Sequence, residues 1–544
     1  MSNKFVPHVV PELPPQQEDE GGGKRSQADR LLDLTKSECD LFRDRAGKVF
    51  ADISREGHRE TLAVESRGFQ DWLTIAFLET HGRALSQEAI RTALNTLTAK
   101  GRLNGPERDV FVRVGEHEGA IYLDLCDTQW RAVKIDANGW EILQEPPIRF
   151  VRSPDLQPLP EPIRGGSLDR LRDIINLPDE EQFILAVGWL LGALRGKGPF
   201  PILAVSGERG AAKSSLVSAL QFLIDPNSSG LRSPPKNEQD IFIAAQYTNL
   251  ICYDNISTIP DWLNDALCRL STGGSYTTRR LYTDAEEHSL SAMRPIALTA
   301  IEDIVQKNDL VSRSIFLALP SIDPTRRKTE SEIKALLERE RPSILGALLD
   351  AVSRGLRRLP DTLIEGEKPR LLDFACWAVA CGDGELWRKG AFLKALQEGQ
   401  KQAEEEIGDS DPLVLAIREL MAASPQWEGT ASDLLSALSS SAPFWLPPKP
   451  KRLPENPRAL SSRLRSMAPS LQSGTPSIEV VFGVRREGKK MIRLLKGTKG
   501  ASVYAKAPPH SAINPLKSQI FCTQSTQKPQ NSRNSLGEGW RGVI

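Results

Sequence analysis

The 544-residue chain has no apolar run approaching the roughly 18–20 residues of a membrane-spanning helix, so no transmembrane segment is expected. Its N-terminus lacks the basic stretch and apolar core of a secretory signal. Cysteine is sparse, and seven residues scattered over so long a chain make no disulfide framework. Cys376 and Cys381 fall in the apolar stretch LLDFACWAVACGDG and read as small buried hydrophobes rather than metal ligands. No metal-ligand cluster of the kind a zinc-binding primase needs is present, and no catalytic-triad pattern. What remains is a cytoplasmic chain of several domains, too long for one ordinary core.

Net charge is also missing, because 70 Lys and Arg balance 70 Asp and Glu. The balance is uneven along the chain. From Lys449 to Ile544 there are eighteen Lys or Arg against four Glu and no Asp, a local charge of +14 with −14 in the remainder. Such asymmetry favours a local nucleic-acid contact, with a solubilising basic tail as the competing reading.

Composition divides the chain. Residues 1–27 are rich in Pro, Gly and charge and are expected to be disordered. Residues 28–151 read as an N-terminal α+β domain. A helical pattern runs through LLDLTKSECDLF, and Ser86 opens a second helix with Ile90, Leu94 and Leu97 on one face and Gly101 at its end. Short strands come next in DVFVRV, AIYLDLCD and WRAVKID, and this helix-pair-then-strand order fits a winged-helix-like module. Four prolines and a Gly pair make 152–167 an extended linker. A core over 168–355 opens with helices, the second nearly all apolar and hence buried. A helical segment over 356–410, a basic module over 411–496 and a patternless basic tail over 497–544 complete the chain.

The strongest signal is PILAVSGERGAAKSSLVSALQFLI. Ile202 to Val205 reads as a buried strand, followed by a loop in which Gly207 and Gly210 adopt backbone conformations that other residues resist. The N–H groups of Gly207, Glu208, Arg209, Gly210, Ala211, Ala212, Lys213, Ser214 and Ser215 would then face the phosphates of ATP at a helix N-terminus. Lys213 would pair with the β- and γ-phosphates, and Ser214 would help to hold Mg²⁺. The pattern usually has Gly before the Lys, where this chain has Ala212. A second strand, Leu250 to Tyr253, ends in Asp254, which suits the same metal. Asn255 stands where many P-loop ATPases carry a second acid, and Asn cannot accept a proton. That leaves Asp254, Glu302 and Asp303 as alternatives for activating water.

Three features lie further along: LSTGGSYTTRRLYTD, the strand RPIALTA ending in Thr299, and DLVSRSI with Arg313 before a strand. This order resembles the ATPase core of superfamily 3 helicases, found in small DNA viruses and in the primase-helicases of large DNA viruses and phages. GERGAAKSS looks like Walker A, YDN like Walker B, the Gly-pair stretch like the family's basic motif, ALTAIED like its sensor strand and DLVSRSI like its arginine finger. The likeness covers roughly 168–355 and lies closest to phage and mobile-element ATPases. It implies an α/β, AAA+-like P-loop NTPase core with helical and winged-helix-like flanking domains. It further implies Thr299 as sensor, where Asn is more usual, and Arg313 acting on a neighbouring subunit's nucleotide, hence a homo-oligomeric ring, a hexamer. Arg279 and Arg280 would then sit near a central channel on DNA phosphates, with an ion pair to Asp284 or Glu286 as the alternative. DNA, single-stranded or forked, and a primase or replication initiator are the implied partners.

In the C-terminal module, Pro457 suits a first helical turn. Leu460, Leu464 and Met467 form the buried face, and Arg458, Arg463 and Arg465 are left exposed. IEVVFGV and MIRLL pair around REGKK, which carries Lys489 and Lys490. Helix, helix and basic hairpin is the order of a winged helix suited to the DNA backbone, a protein-binding winged helix being the alternative.

Overall fold

Leucines at helical spacing wind α1 (Gln27–Glu38), which Ser26 and Asp29 close with a reciprocal capping box. The computed structural model describes residues 25–497 except 280–286, 301–307, 324, 326, 423, 441–453, 474–475 and 487. Of the segments expected to be disordered, 1–27 and 497–544, residues 1–24 and 498–544 lie outside the described residues, whereas Ser26 and Gln27 already cap and open α1. The helical pattern does not continue through CDLF. The chain turns extended at Cys39, and β1 (Cys39–Arg43), β2 (Val49–Arg55) and β3 (His58–Ala63) form an antiparallel meander. Helices α2 (Arg67–His81) and α3 (Gln87–Asn104) cover it, α3 capped by Ser86. A three-stranded meander and α2 therefore intervene between the two helices read from sequence, while the expected strands still follow α3. Gly101 does not end α3 either. A Cβ there would come 2.2 Å from Val49 Cγ1, so its missing side chain lets α3 lie against β2.

Next come β4 (Val110–Phe111), β5 (Val114–His117), β6 (Ala120–Asp124), β7 (Ala132–Asp136), β8 (Gly139–Leu143) and β9 (Arg149–Phe150). Strands β5 to β8 form a four-stranded antiparallel sheet whose inner face (Val114, Ile121, Leu123, Val133, Ile135, Trp140) shares one hydrophobic cluster with the helices of the central region. The Pro-rich stretch 152–167 has no helix or strand, yet it is strapped down. Leu156 and Leu159 are buried, Leu159 N donates to Leu125 O at 2.8 Å and Ile163 N to Pro342 O at 2.9 Å.

The centre contains α4 (Asp169–Arg172), α5 (Glu180–Ala193), β10 (Ile202–Gly207), α6 (Lys213–Ile224), α7 (Glu238–Ala244), β11 (Ile251–Ile256), α8 (Asp261–Thr272), β12 (Gly274–Arg279), β13 (Glu287–Ala292), β14 (Ile296–Ala300), α9 (Asn308–Val311) and β15 (Ser314–Leu319). Every residue of α5 from Phe183 to Ala193 is buried, as its apolar sequence predicts. Strands β11, β14, β10 and β15 make a parallel sheet in that order, with Val205 opposite Thr299 and Gly207 opposite Leu319. A single bridge from Arg232 to Tyr253 extends the sheet beyond β11. Strands β12 and β13 form a separate antiparallel arm. Behind the sheet lie α10 (Glu330–Arg358), α11 (Leu372–Gly382) and α12 (Ala391–Ser410).

The C-terminal module runs α13 (Pro412–Ala422), β16 (Gln426–Gly429), α14 (Ala431–Ser440), α15 (Pro457–Ser473), β17 (Ile478–Arg486) and β18 (Lys489–Lys496). Strand β18 lies between β16 and β17, and Leu460, Leu464 and Met467 are buried beneath them. No described helix is long and apolar enough to cross a membrane.

Candidate functional site

Gly207, Asp254 and Thr299 all stand at the C-terminal edge of the parallel sheet, the edge at which open α/β sheets bind ligands. The loop from Gly207 to Ala212 bends through three left-handed or otherwise positive φ values, +143° at Gly207, +84° at Gly210 and +62° at Ala212. Ala212 thus holds the conformation for which Gly is the usual residue, at a cost of about 1–2 kcal/mol. No side chain caps α6 and no acid lies in its first turn, so the donors and positive end of its dipole are left for an anion.

Lys213 Nζ folds over the loop, donating to Gly207 O at 2.6 Å and Glu208 O at 2.9 Å. Partial burial pulls its ammonium below the usual lysine range, and Asp254 opposes that shift. Ser214 Oγ donates to Asp254 Oδ1 at 2.7 Å. Thr299 Oγ1 donates to the same oxygen and accepts from Asn255 N at 2.8 Å. Thr299 is 1% exposed and its one proton is committed to Asp254, so in this arrangement it positions the acid. Glu208, Arg209 and Gly210 are exposed at the loop's apex, Ala211 is buried, and Ser215 is half-buried in the first turn of α6. Asn255 is exposed with φ of +57°. Glu302 and Asp303 lie outside the described residues.

Two supports had no sequence signal. Asn176 Nδ2 donates to Ala211 O at 3.3 Å and Pro320 O at 3.0 Å, pinning the loop to the exit of β15, and Gln182 Oε1 accepts from Ala318 N at 2.9 Å. Both lie in stretches read only as helical.

Arg313 sits elsewhere. It precedes β15, where Ser314 pairs with Ile202, while Leu319 at the other end of the strand pairs with Gly207. At about 3.3 Å per residue that puts it on the order of 17 Å from the loop's edge of the sheet. Arg313 folds back onto the Asp309 carboxylate and donates to Asp309 O at 3.2 Å, with its side chain 16% exposed. Arg370 grips the same carboxylate at 2.8 Å. Burial alone would raise the Asp309 carboxyl, but the two guanidinium groups outweigh it and hold it below the ordinary range.

Arg279 ends β12 opposite Glu287, but its side chain, Arg280, Asp284 and Glu286 lie outside the described residues. On the C-terminal module Arg458, Arg465, Lys489 and Lys490 are exposed, with the Arg465 guanidinium 4.8 Å from the Phe482 ring centre. Arg463 corrects the expectation of exposure. It is half-buried and pairs with Asp411 at 2.9 Å, joining α15 to the start of α13. Arg485, which the sequence did not single out, is exposed beside Lys490 across the hairpin. No cluster able to hold a metal through His, Cys, Asp and Glu alone occurs among the described residues, and Cys381 is buried, with Cys376 half-buried.

Residues 168–383 match the family model described as actinomycete integrative conjugative element replication protein, and 413–508 match that of the AICE RepA C-terminal domain. Together the two matches span more than half of the chain. The chain belongs to this replication-protein family. The first match takes in the loop, Asp254, Thr299 and Arg313, and the second the basic hairpin. No curated protein matches the replication protein in sequence. Among solved structures, two apo forms of the NrS-1 C terminal region are 12% identical to it. One covers 86% of the chain and 99% of its own length at a TM-score of 0.38, the other 87% and 100% at 0.35.

Proposed function

We propose that this mobile-element replication protein is a DNA-stimulated ATPase of the superfamily 3 helicase type, a P-loop NTPase working as a ring. The observation that carries this is the hydrogen-bonded line from Ser214 to Asp254 to Thr299, beside a loop closed by Lys213. The positive φ values, the uncapped α6 and a lysine held by carbonyls it can exchange for phosphates all fit a triphosphate. Mg²⁺, when bound, neutralises phosphate charge, and Ser214 and Asp254 are the residues that would hold it.

Arg313 lies at the far end of the sheet from its own loop, so it can serve only the nucleotide of another copy. That geometry supports a ring, a hexamer in the superfamily 3 pattern. The β12–β13 arm would carry Arg279 and Arg280 to DNA in its channel. The order of the C-terminal module, helix, strand, two helices and a hairpin, reads as a winged helix, with Arg458, Arg465, Lys489 and Lys490 suited to the phosphate backbone. A primase or initiator would complete the replication assembly.

Asn255 favours a second reading. With no carboxylate at that position, ATP binding without rapid hydrolysis would act as a switch that controls assembly with a partner. The deciding measurement is ATP turnover of the full chain with and without single-stranded DNA, beside Lys213→Ala. A motor requires turnover that rises with DNA and collapses in the variant. Tight ATP binding with no response to DNA would sink the motor and leave the switch.

A further inference from the structure

A second cation stands over the loop. A Cβ built on Gly210 would lie 3.2 Å from Arg327 Nη2, which brings that guanidinium to the loop's apex. Arg327 is exposed, and no described residue accepts a hydrogen bond from its side chain or forms an ion pair with it. Two of the carboxylates near it in sequence, Asp323 and Glu332, are engaged otherwise. Asp323 Oδ1 accepts from Thr325 N at 2.8 Å and Thr325 Oγ1 at 2.7 Å. Glu332 is closed into the capping box of α10 with Thr329.

The backbone around Arg327 is anchored on the platform that supports the loop. Asn176 ties Pro320 O to Ala211 O, and Lys328 Nζ donates to Asp173 O at 2.7 Å. The capping box then fixes the start of α10. An unpaired guanidinium held above a glycine-rich anion loop, on a segment secured at both sides, has the character of a ligand contact. Its planar, permanently charged fork suits phosphate oxygens.

We infer that Arg327 contacts the polyphosphate of the nucleotide bound on its own chain's loop, as a partner to Lys213. This rests on the nucleotide reading above. It gives the loop a cation from the same chain, distinct from Arg313, which cannot reach it.

The test is equilibrium binding of a fluorescent ATP analogue with Mg²⁺ to the full chain, comparing wild type, Lys213→Ala, Arg327→Ala and Arg327→Lys. Arg327→Ala should weaken binding by about tenfold to a hundredfold. Arg327→Lys, which keeps the charge but loses the fork, should fall between it and wild type, and the alanine variant's binding should depend less on salt. Arg327→Ala binding within about twofold of wild type, while Lys213→Ala loses binding, overturns the inference and spares the nucleotide reading. If Arg327→Ala does not fold, Arg327→Lys decides, and wild-type affinity there also overturns it. If wild type itself fails to bind, the nucleotide reading and this inference fall together.

Discussion

The two edges of the parallel sheet are built on opposite principles. At the C-terminal edge the chain keeps polar groups exposed or replaceable: an uncapped helix start, a lysine on loop carbonyls and a left-handed Ala212. At the N-terminal edge the charges are closed off. Arg113 and Asp225 are both fully buried and pair at 2.9 Å, and Arg113 also donates to the carbonyls of Asp124, Gln157 and Pro226. The second oxygen of Asp225 accepts from Asn249 N and Leu250 N just before β11. Arg313, also on this edge, is folded onto Asp309. At the first edge the donors stay replaceable, whereas at the second Arg113 and Asp225 are satisfied by the chain itself, although Arg313 Nε is buried with no acceptor among the described residues. Asp residues thus meet different surroundings at the two ends of the strands: Asp254 accepts from two hydroxyls at one, and Asp225 pairs with a buried Arg113 at the other.

The sharpest way to break this contrast is Arg313→Ala. If the far edge serves a neighbouring copy, turnover under assembling conditions should fall by about 10³-fold, with ATP affinity of the dilute chain unchanged. Mixing these chains with Lys213→Ala chains should restore part of the activity, and unaltered turnover would make Arg313 purely architectural. Next in size is Asp225→Ala, which leaves Arg113 buried without its partner. Urea unfolding should show a loss of about 3–5 kcal/mol. A loss below about 1 kcal/mol would show that this pair does not close off the edge.

Thr299→Val should act on the ligand edge alone. It removes the bonds to Asp254 and Asn255 N, and ATP turnover should drop by about tenfold, for an interaction of roughly 1–2 kcal/mol, with little change in melting. An equal loss in melting would move Thr299 to the architectural side. Smallest is Ala212→Gly, which relieves left-handed strain against a greater chain entropy in the unfolded state. A gain of about 0.5–1 kcal/mol by urea titration with nucleotide binding kept is expected.

The ligand edge was the more legible in sequence, for a physical reason. Its strands are short apolar runs ended by Gly207, Asp254 and Thr299, and local pattern specifies both strand and terminus. The C-terminal hairpin was legible likewise, through alternation around the turn at Gly488. The other edge was opaque. Arg113 sits in DVFVRV and reads as one strand residue, yet it takes φ of +62° between β4 and β5 and turns inward to a partner 112 residues away. Arg327 was hidden in a polar run, Asn176 in a helical one, and β1 in a leucine pattern that continued α1 by one turn too many. Arg463 misled because a basic residue on a helix reads as solvated until the neighbouring element supplies an Asp.

Arg113 bears on where this chain would tolerate a joint. A crossover in the Pro-rich stretch would take Arg113 away from Asp225 and remove the sheet whose inner face fills the central core. A crossover between α3 and β4 would cut a more polar and exposed contact: the Phe42 and Phe50 cluster, the grip of Arg149 on Asp52 at 2.9 Å, the bonds of Arg59 to Pro146 O and Ile148 O, and ion pairs such as Arg108 with Asp40 at 2.7 Å. A joint near Gly105 would therefore disturb the central core less than one in the proline-rich stretch that looks like a seam.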